Sequence, residues 1–170
     1  MENEIKIKPW LAPEEIKFLS SFLTKNDAML EWGSGGSTLY FCDMVKEYHS
    51  IEHDLKWYET IKNHTKEKQN LQTYHIPSDL PRDRVFGPSQ YEEFVTYINY
   101  VDTINKKFDK VLIDGRGRQW CAEKVINYLN QDAIVFIHDF GIPGRERYNS
   151  VLNHYTIIGK VKSLVALKKS

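Results

Sequence analysis

The chain has 170 residues, 41% of them hydrophobic, and carries 23 basic and 23 acidic side chains. This length predicts a single domain with a sizeable core, and the balanced charge argues against a nucleic acid as the default partner. Two cysteines cannot form a disulfide framework, and the charged N-terminus has no apolar signal core. We therefore expect a cytoplasmic protein with no membrane partner.

The first 27 residues predict an N-terminal helical extension ahead of the main domain at residues 28–170. Pro13 followed by two acids is a typical helix start. Apolar side chains then recur on one face of this segment, as in an amphipathic helix. We expect the helix to pack on the sheet ahead of the first strand.

Strands and helices alternate through most of the chain. Predicted strands cover residues 28–32, 47–52, 71–75, 110–114 and 133–138, and predicted helices cover 37–45, 55–66, 90–104, 119–130 and 145–153. A closing hairpin is predicted at 155–161 and 164–168. This order predicts an α/β, Rossmann-like, doubly wound and mostly parallel sheet with a C-terminal antiparallel hairpin. Such sheets bind ligands at the carboxyl ends of their strands.

A glycine-rich turn, in the sequence MLEWGSGGST at residues 29–38, joins the first strand to the next helix. Glycine lets backbone N–H groups approach a ligand closely because it has no Cβ. The turn lacks the lysine of a P-loop, and Leu39 stands where the dinucleotide pattern has its third glycine. A triphosphate and a pyrophosphate are thus disfavoured, which makes a nicotinamide-dependent oxidoreductase the weaker alternative.

Two acids narrow the choice of ligand. Glu31 precedes the turn, where a carboxylate would repel a phosphate but suit an ammonium group. Glu52 ends the second strand at about the 20-residue spacing at which Rossmann-type folds place a carboxylate on ribose hydroxyls. S-adenosylmethionine (SAM) matches both, because it joins a nucleoside to an amino-acid ammonium and a sulfonium without any phosphate.

The segment EWGSGG at residues 31–36 resembles the first motif of class I SAM-dependent methyltransferases, and Glu52 resembles their second-strand acid. The segments VLIDGRGRQWCA at 111–122 and IVFIHDF at 134–140 are similar to a less characterised group of that superfamily. The resemblance covers about residues 28–167. It implies the fold, the cofactor SAM and methyl transfer, but it names no acceptor.

The resemblance also implies a set of cofactor-binding residues. The first strand and the turn would hold the methionine part, the second-strand acid would hold the ribose, and histidines after the second and third strands would lie against the adenine. These residues are Glu31, Gly33, Gly35 and Ser37; Glu52; and His53 and His75. The acid that is common in the superfamily at the third strand is absent here.

Candidates for catalysis lie at the ends of the fourth and fifth strands: Asp114, His138 and Asp139. In the superfamily, the strand end at Asp114 faces the transferring methyl group. Asp114 could hold the SAM ammonium, act as a general base or bind a metal. His138 is also a candidate base, because imidazole titrates near neutral pH.

A divalent metal is the less favoured alternative. Two carboxylates on adjacent strand ends could hold Mg²⁺, as in the metal-dependent O-methyltransferases that this layout resembles. Those enzymes have Asp followed by Asn on the fifth strand, whereas this chain has His138, Asp139 and Phe140. We therefore predict no metal ligands.

Substrate contacts are expected from Arg116 and Arg118, which could clamp an acidic substrate. The loop Pro77–Ser89 is long enough to act as a lid over the acceptor. The sequence thus predicts a SAM-dependent methyltransferase acting on a small-molecule or sugar-like hydroxyl or carboxyl group. A non-catalytic module that binds SAM or a partner is the alternative, and the oligomeric state stays open.

Overall fold

A computed structural model describes residues 7–80 and 89–170. Seven strands form one sheet: β1 Ala28–Trp32, β2 Glu47–Glu52, β3 Leu71–His75, β4 Phe108–Ile113, β5 Leu129–Ile137, β6 Tyr155–Val161 and β7 Leu164–Lys169. The α-helices are α1 Pro13–Ser20, α2 Gly36–Phe41, α3 Leu55–His64, α4 Val95–Asn99, α5 Val101–Ile104 and α6 Arg118–Val125. Short 3₁₀ helices cover Cys42–Met44, Ile126–Tyr128 and Glu146–Asn153.

The sheet has the strand order β3-β2-β1-β4-β5-β7-β6. Strands β1 to β5 pair in parallel, and β7 pairs antiparallel with both β5 and β6. The predicted α/β sheet with its C-terminal hairpin is confirmed. The order of strands reverses between β1 and β4, and the crevice outside such a reversal is where open α/β sheets bind ligands.

The two faces of the sheet bury separate apolar clusters. Leu30 and Val111 point to one cluster, whereas their neighbours Met29 and Leu112 point to the other, as the two-residue period of a strand requires. Leu19 of α1 is fully buried in the second cluster. The N-terminal helix therefore shares the core of the sheet, and a boundary at residue 27 stays a prediction.

Several element bounds differ from the sequence prediction. The predicted helix at 90–104 begins only at Val95 and is divided into the two short helices α4 and α5, and Asn105 ends the second with a left-handed φ of 48°. β5 begins at Leu129 rather than at Ala133, and its exposed polar residues 130–132 lie where the register between β4 and β5 shifts. Apolar periodicity cannot detect such a segment. Within the predicted loop Pro77–Ser89, residues 81–88 lie outside the described residues.

Across residues 7–80 and 89–170, none of the helices combines the length and the apolar character that crossing a membrane would require.

Candidate active site

The glycine-rich turn packs backbone against backbone with the turn that follows β4. Gly33 has a φ of +99°, and a Cβ built there would lie 2.6 Å from the amide nitrogen of Gly115. A Cβ on Gly36 would lie 2.1 Å from the carbonyl of Lys8. These glycines let the ends of β1 and β4 and the N-terminal segment meet at one place.

A cavity of about 510 Å³ opens beside this turn, at the carboxyl ends of β1, β2, β4 and β5. The turn forms its floor, with the end of β2 on one side and the ends of β4 and β5 on the other. The residues that line it are Trp10, Gly33, Ser34, Gly35, Gly36, Ser37, Glu52, His53, Asp54, Trp57, Asp114, Gly115, Arg116, Arg118, His138 and Asp139. Most of the predicted site residues thus share one cavity.

Glu52 stands at the β2 side of the cavity and is only 3% exposed. Its Oε1 accepts hydrogen bonds of 2.8 Å from the backbone N–H groups of both His53 and Asp54. Asp54 in turn caps α3, because its Oδ1 accepts from the N–H of Trp57 at 2.8 Å. The second-strand acid is therefore held in a fixed position at the cavity wall.

Glu31 lies one layer behind the cavity and has no exposed surface. Its carboxyl accepts hydrogen bonds from the hydroxyls of Ser37, Thr38 (2.5 Å) and Ser50 (2.9 Å). Burial raises the pKa of Glu31 to about 7, although these hydroxyls lower it. The structure does not offer the expected direct contact of Glu31 with a ligand; Ser37 links it to the cavity.

The two predicted adenine contacts lie in different places. His53 lines the cavity, and its ring packs edge-on against Phe94 and Tyr97, at centroid distances of 5.4 Å and 5.9 Å. His75 does not line it; its ring lies 5.4 Å from that of Tyr58, and its Nε2–H donates to the His53 carbonyl at 3.2 Å. His75 therefore supports His53 from behind.

Arg118 bridges the ends of β4 and β5. Its Nη2 lies 3.1 Å from Asp114 Oδ1, and its Nη1 lies 3.0 Å from Asp139 Oδ2. It also donates to the carbonyls of Gly115 (3.1 Å), Asp114 (3.0 Å) and His138. These contacts occupy the guanidinium, so it clamps two strand ends rather than reaching for a substrate. Arg116 lines the cavity as well.

His138 lies among carboxylates from three elements. Nδ1 is 3.1 Å from Asp114 Oδ1 and 3.6 Å from Asp139 Oδ1, and Nε2 is 3.3 Å from Glu15 Oε2. Burial alone would lower the pKa of His138, but the hydrogen bond to Asp114 and the charges of the three acids raise it above its ordinary value. Asp139 has a φ of 58°, a left-handed conformation that turns the chain directly after β5.

The same cluster is the place where a metal would be sought. Ligand atoms of Asp114, His138 and Asp139 lie within 4.8 Å of one another. The guanidinium of Arg118 already bridges the two carboxylates and supplies the positive charge there. Mg²⁺ prefers a shell of oxygen ligands, so this arrangement does not fit a divalent cation.

The residues near the site that were missing from the sequence prediction include Trp10, Trp57 and Glu15. Trp10 is 86% exposed at the cavity, and its ring lies 6.1 Å from that of Trp57, whose indole N–H donates to the Ser34 carbonyl. Neither tryptophan belongs to a pattern that marks a ligand site. Glu15 stands four residues before Leu19, on the buried face of α1, and an acid at that spacing was a signal that could have been used.

Comparison with known proteins gives no match to a family model and none among curated proteins. Solved structures do match. A methyltransferase-like protein (spo2022) from Silicibacter pomeroyi superposes with a TM-score of 0.77 at 20% identity, over 96% of this chain and 89% of that one. The protein SMU.1697c from Streptococcus mutans, solved in complex with SAH, gives 0.62 at 13% identity, over 95% and 100% of the two chains.

A third similar structure is precorrin-6y C5,15-methyltransferase from Geobacter metallireducens, with a TM-score of 0.64 at 14% identity, over 96% of this chain and 92% of that one. Identities this low carry information about the fold alone. These three structures share the architecture described above over almost the whole chain. The protein therefore has the fold of the class I SAM-dependent methyltransferases.

Proposed function

We propose that the protein is a SAM-dependent methyltransferase and that the cavity at the strand ends binds SAM. One observation carries the proposal: a single cavity joins the glycine-rich turn after β1 to Glu52 at the end of β2 and to Asp114 after β4. The proposed nucleoside site then lies beside a group that can accept a proton, which supports transfer of a methyl group to an acceptor.

Each part of the cavity matches a part of SAM. The carboxylate of Glu52 is suited to accept hydrogen bonds from the ribose hydroxyls, and the ring of His53 offers a face beside the adenine. The turn at Gly33 and Gly35 brings backbone close to the methionine part. Ser37 presents a hydroxyl to the same part and connects it to the buried carboxyl of Glu31.

The proposed reaction requires the protein only to align the acceptor with the methyl group and to accept one proton. A lone pair of the acceptor oxygen forms the new bond to the methyl carbon, the carbon–sulfur bond breaks with its electrons going to sulfur, and the acceptor proton passes to a carboxylate. The acceptor side of the cavity is the side at the ends of β4 and β5. Asp114 and Asp139 line this side and can take that proton. SAM carries the activated methyl group, so the protein need only align the acceptor with it.

A small hydroxyl or carboxyl compound is the acceptor that we favour. Arg116 adds a positive charge to the acceptor side, which suits an acidic group on the compound. The chain has no net charge that would attract a nucleic acid. The solved structures with this fold include both a precorrin methyltransferase and an rRNA methylase, so the fold itself does not choose among acceptors.

Calorimetric titration of the folded protein with SAM, SAH and NAD tests the cofactor assignment. We expect SAM and SAH to bind and NAD not to bind. Glu52→Gln should weaken SAM at least about 10-fold, since hydrogen bonds to a charged group contribute about 1.5–3 kcal/mol. Glu59→Gln, at an exposed position of α3, is the matched control and should bind SAM as the wild type does. Failure of folded wild-type protein to bind SAM would refute the proposal.

A non-catalytic SAM-binding module is the second candidate. Arg118 and His138 each contact both Asp114 and Asp139, and such a set of ion pairs can stabilise the strand ends without taking part in a reaction. Transfer of labelled methyl groups from SAM to a panel of small hydroxyl and carboxyl compounds separates the two. SAM binding without turnover on any acceptor would favour the module.

A further inference from the structure

Both ring nitrogens of His138 face hydrogen-bond acceptors. Asp114 Oδ1 lies 3.1 Å from Nδ1, and Glu15 Oε2 lies 3.3 Å from Nε2. The two acids come from distant parts of the chain, since Glu15 is in α1 and Asp114 follows β4. A neutral imidazole has only one N–H, so it would leave one nitrogen lone pair pointing at a carboxylate.

The only other polar neighbour of Nε2 among the described contacts is the hydroxyl of Ser163, at 3.2 Å. This hydroxyl lies 3.0 Å from Glu15 Oε1 and donates its single proton there. The hydroxyl can therefore only accept a hydrogen bond from Nε2, and this contact also requires Nε2 to be protonated.

Glu15 is itself fixed in its ionised form. It is 2% exposed, and its carboxylate accepts from the N–H of Ala12 (2.8 Å), from the N–H and hydroxyl of Ser163 (3.0 Å each) and from His138. Four donors match the four lone-pair sites of a carboxylate. Burial raises the pKa of Glu15, but the hydrogen bonds from Ala12 and Ser163 outweigh it and lower the pKa.

We infer that Glu15 is a positioning residue which, together with Asp114, holds His138 as an imidazolium with both ring nitrogens donating. His138 then supplies a fixed positive charge at the rim of the cavity and is not the general base. The protonation of His138 can be inferred without the proposed function, but the role of His138 in methyl transfer rests on that function. It leaves Asp114 and Asp139 to accept the proton of the acceptor, while the acceptor oxygen takes the methyl group and sulfur keeps the bonding electrons.

The charges that face His138 come from every element packed against it. Glu15 belongs to α1, Asp114 follows β4, Asp139 follows β5, and Arg118 of α6 donates to the main-chain carbonyl of His138. Three carboxylates thus surround one guanidinium and one imidazole. A protonated imidazole reduces this excess of negative charge from two to one, in agreement with the raised pKa of His138.

Nitrogen NMR of the histidine side chains, in protein without ligand, tests the inference. The His138 signals are assigned by their loss in His138→Gln. We expect the titration midpoint of His138 to lie above the ordinary value of 6.5, so that both nitrogens are protonated in most molecules at pH 6.5. A His138 that is mostly a neutral tautomer at pH 6.5 in the wild type would overturn the inference without any variant.

Variants of the adjacent acids Glu14 and Glu15 then measure the effect of Glu15 on the titration of His138. Glu15→Gln should lower the titration midpoint of His138. Glu14→Gln removes the same charge one residue earlier, but Glu14 is 60% exposed and pairs with Lys162 at 2.8 Å, so His138 should titrate as in the wild type. An unchanged midpoint in folded Glu15→Gln would also overturn the inference.

Failure of the inference and failure of the proposed function are distinguishable. The NMR measurement needs no cofactor, so a neutral His138 in a protein that binds SAM would refute the inference alone. Where methyl transfer is measured, Glu15→Gln should shift the pH profile of kcat, and Glu14→Gln should leave it unchanged. A protonated His138 in a protein that does not bind SAM would leave the inference standing without the function.

Discussion

Glu31 gives the sharpest prediction about stability, because it is a fully buried acid. Its pKa is raised from the ordinary 4.5 to about 7, chiefly by burial. Between pH 4.5 and about 7, Glu31 is therefore mostly protonated in the folded protein and mostly ionised in the unfolded chain. The stability that this proton contributes is fully present below pH 4.5 and is lost as the pH rises to about 7 and above. The loss amounts to about 3 kcal/mol.

Glu31→Gln replaces the carboxyl with a neutral group of the same shape. The hydroxyls of Ser37, Thr38 and Ser50 can rotate to accept from the new amide. At pH 8 the variant should be more stable than the wild type, by about 2 kcal/mol, after a loss of about 1 kcal/mol for imperfect hydrogen bonds. At pH 5, where the wild type is mostly protonated, this advantage should disappear.

Urea unfolding at pH 5 and pH 8 measures this difference, with equal m-values as the check that the denatured states are comparable. Taking wild type minus variant cancels the other groups that titrate in this window, the histidines among them. Glu14→Gln is the control: the hydrogen bond from Lys162 lowers the pKa of Glu14, so its contribution is lost only below pH 4.5 and is constant from pH 5 to 8. The same difference in stability at both pH values for Glu31→Gln would refute the reasoning.

Three further predictions concern other parts of the chain. Gly33→Ala should lower the free energy of unfolding, measured in urea, by about 3 kcal/mol, because both the left-handed φ and the 2.6 Å approach to the neighbouring turn oppose a Cβ. Gly144→Ala, at a position with φ +80° and no atom within 4 Å of the added Cβ, should lower it by only about 1 kcal/mol. Equal losses of stability in the two variants would contradict the packing argument. Burial raises the pKa of Cys42 to about 11 and that of Cys121 well above its ordinary value, so a thiol reagent should label neither in native protein and both in denaturant; fast native labelling would contradict this burial. The exposed indole of Trp10 lies at the cavity, so SAH should change the fluorescence of the wild type more than that of Trp10→Phe, and an equal change would place the ligand elsewhere.

The sequence predicted the frame of the site well, for a physical reason. The bounds of β1, β2 and β3 are the predicted ones, because each is a short run between polar or glycine turns. Parallel strands bring their carboxyl ends to one edge. That topology alone places Glu52 and Asp114 at a common cavity.

The pattern of strands and turns in the sequence does not predict the direction of a side chain or contacts between distant residues. The position of Glu31 before a glycine turn does not reveal that its carboxyl turns inward to three hydroxyls. The contact between Glu15 and His138 joins residues 123 positions apart, and only the packing of α1 against the strand ends creates it. The use of Arg118 as a clamp likewise depends on how β4 and β5 are spaced in three dimensions.

A crystal structure of the protein with SAH tests the central claim most directly. The account predicts SAH in the cavity beside the glycine-rich turn, with its ribose hydroxyls on the carboxylate of Glu52 and its sulfur directed towards Asp114. SAH bound outside this cavity, or bound within it with the ribose away from Glu52, would contradict the account.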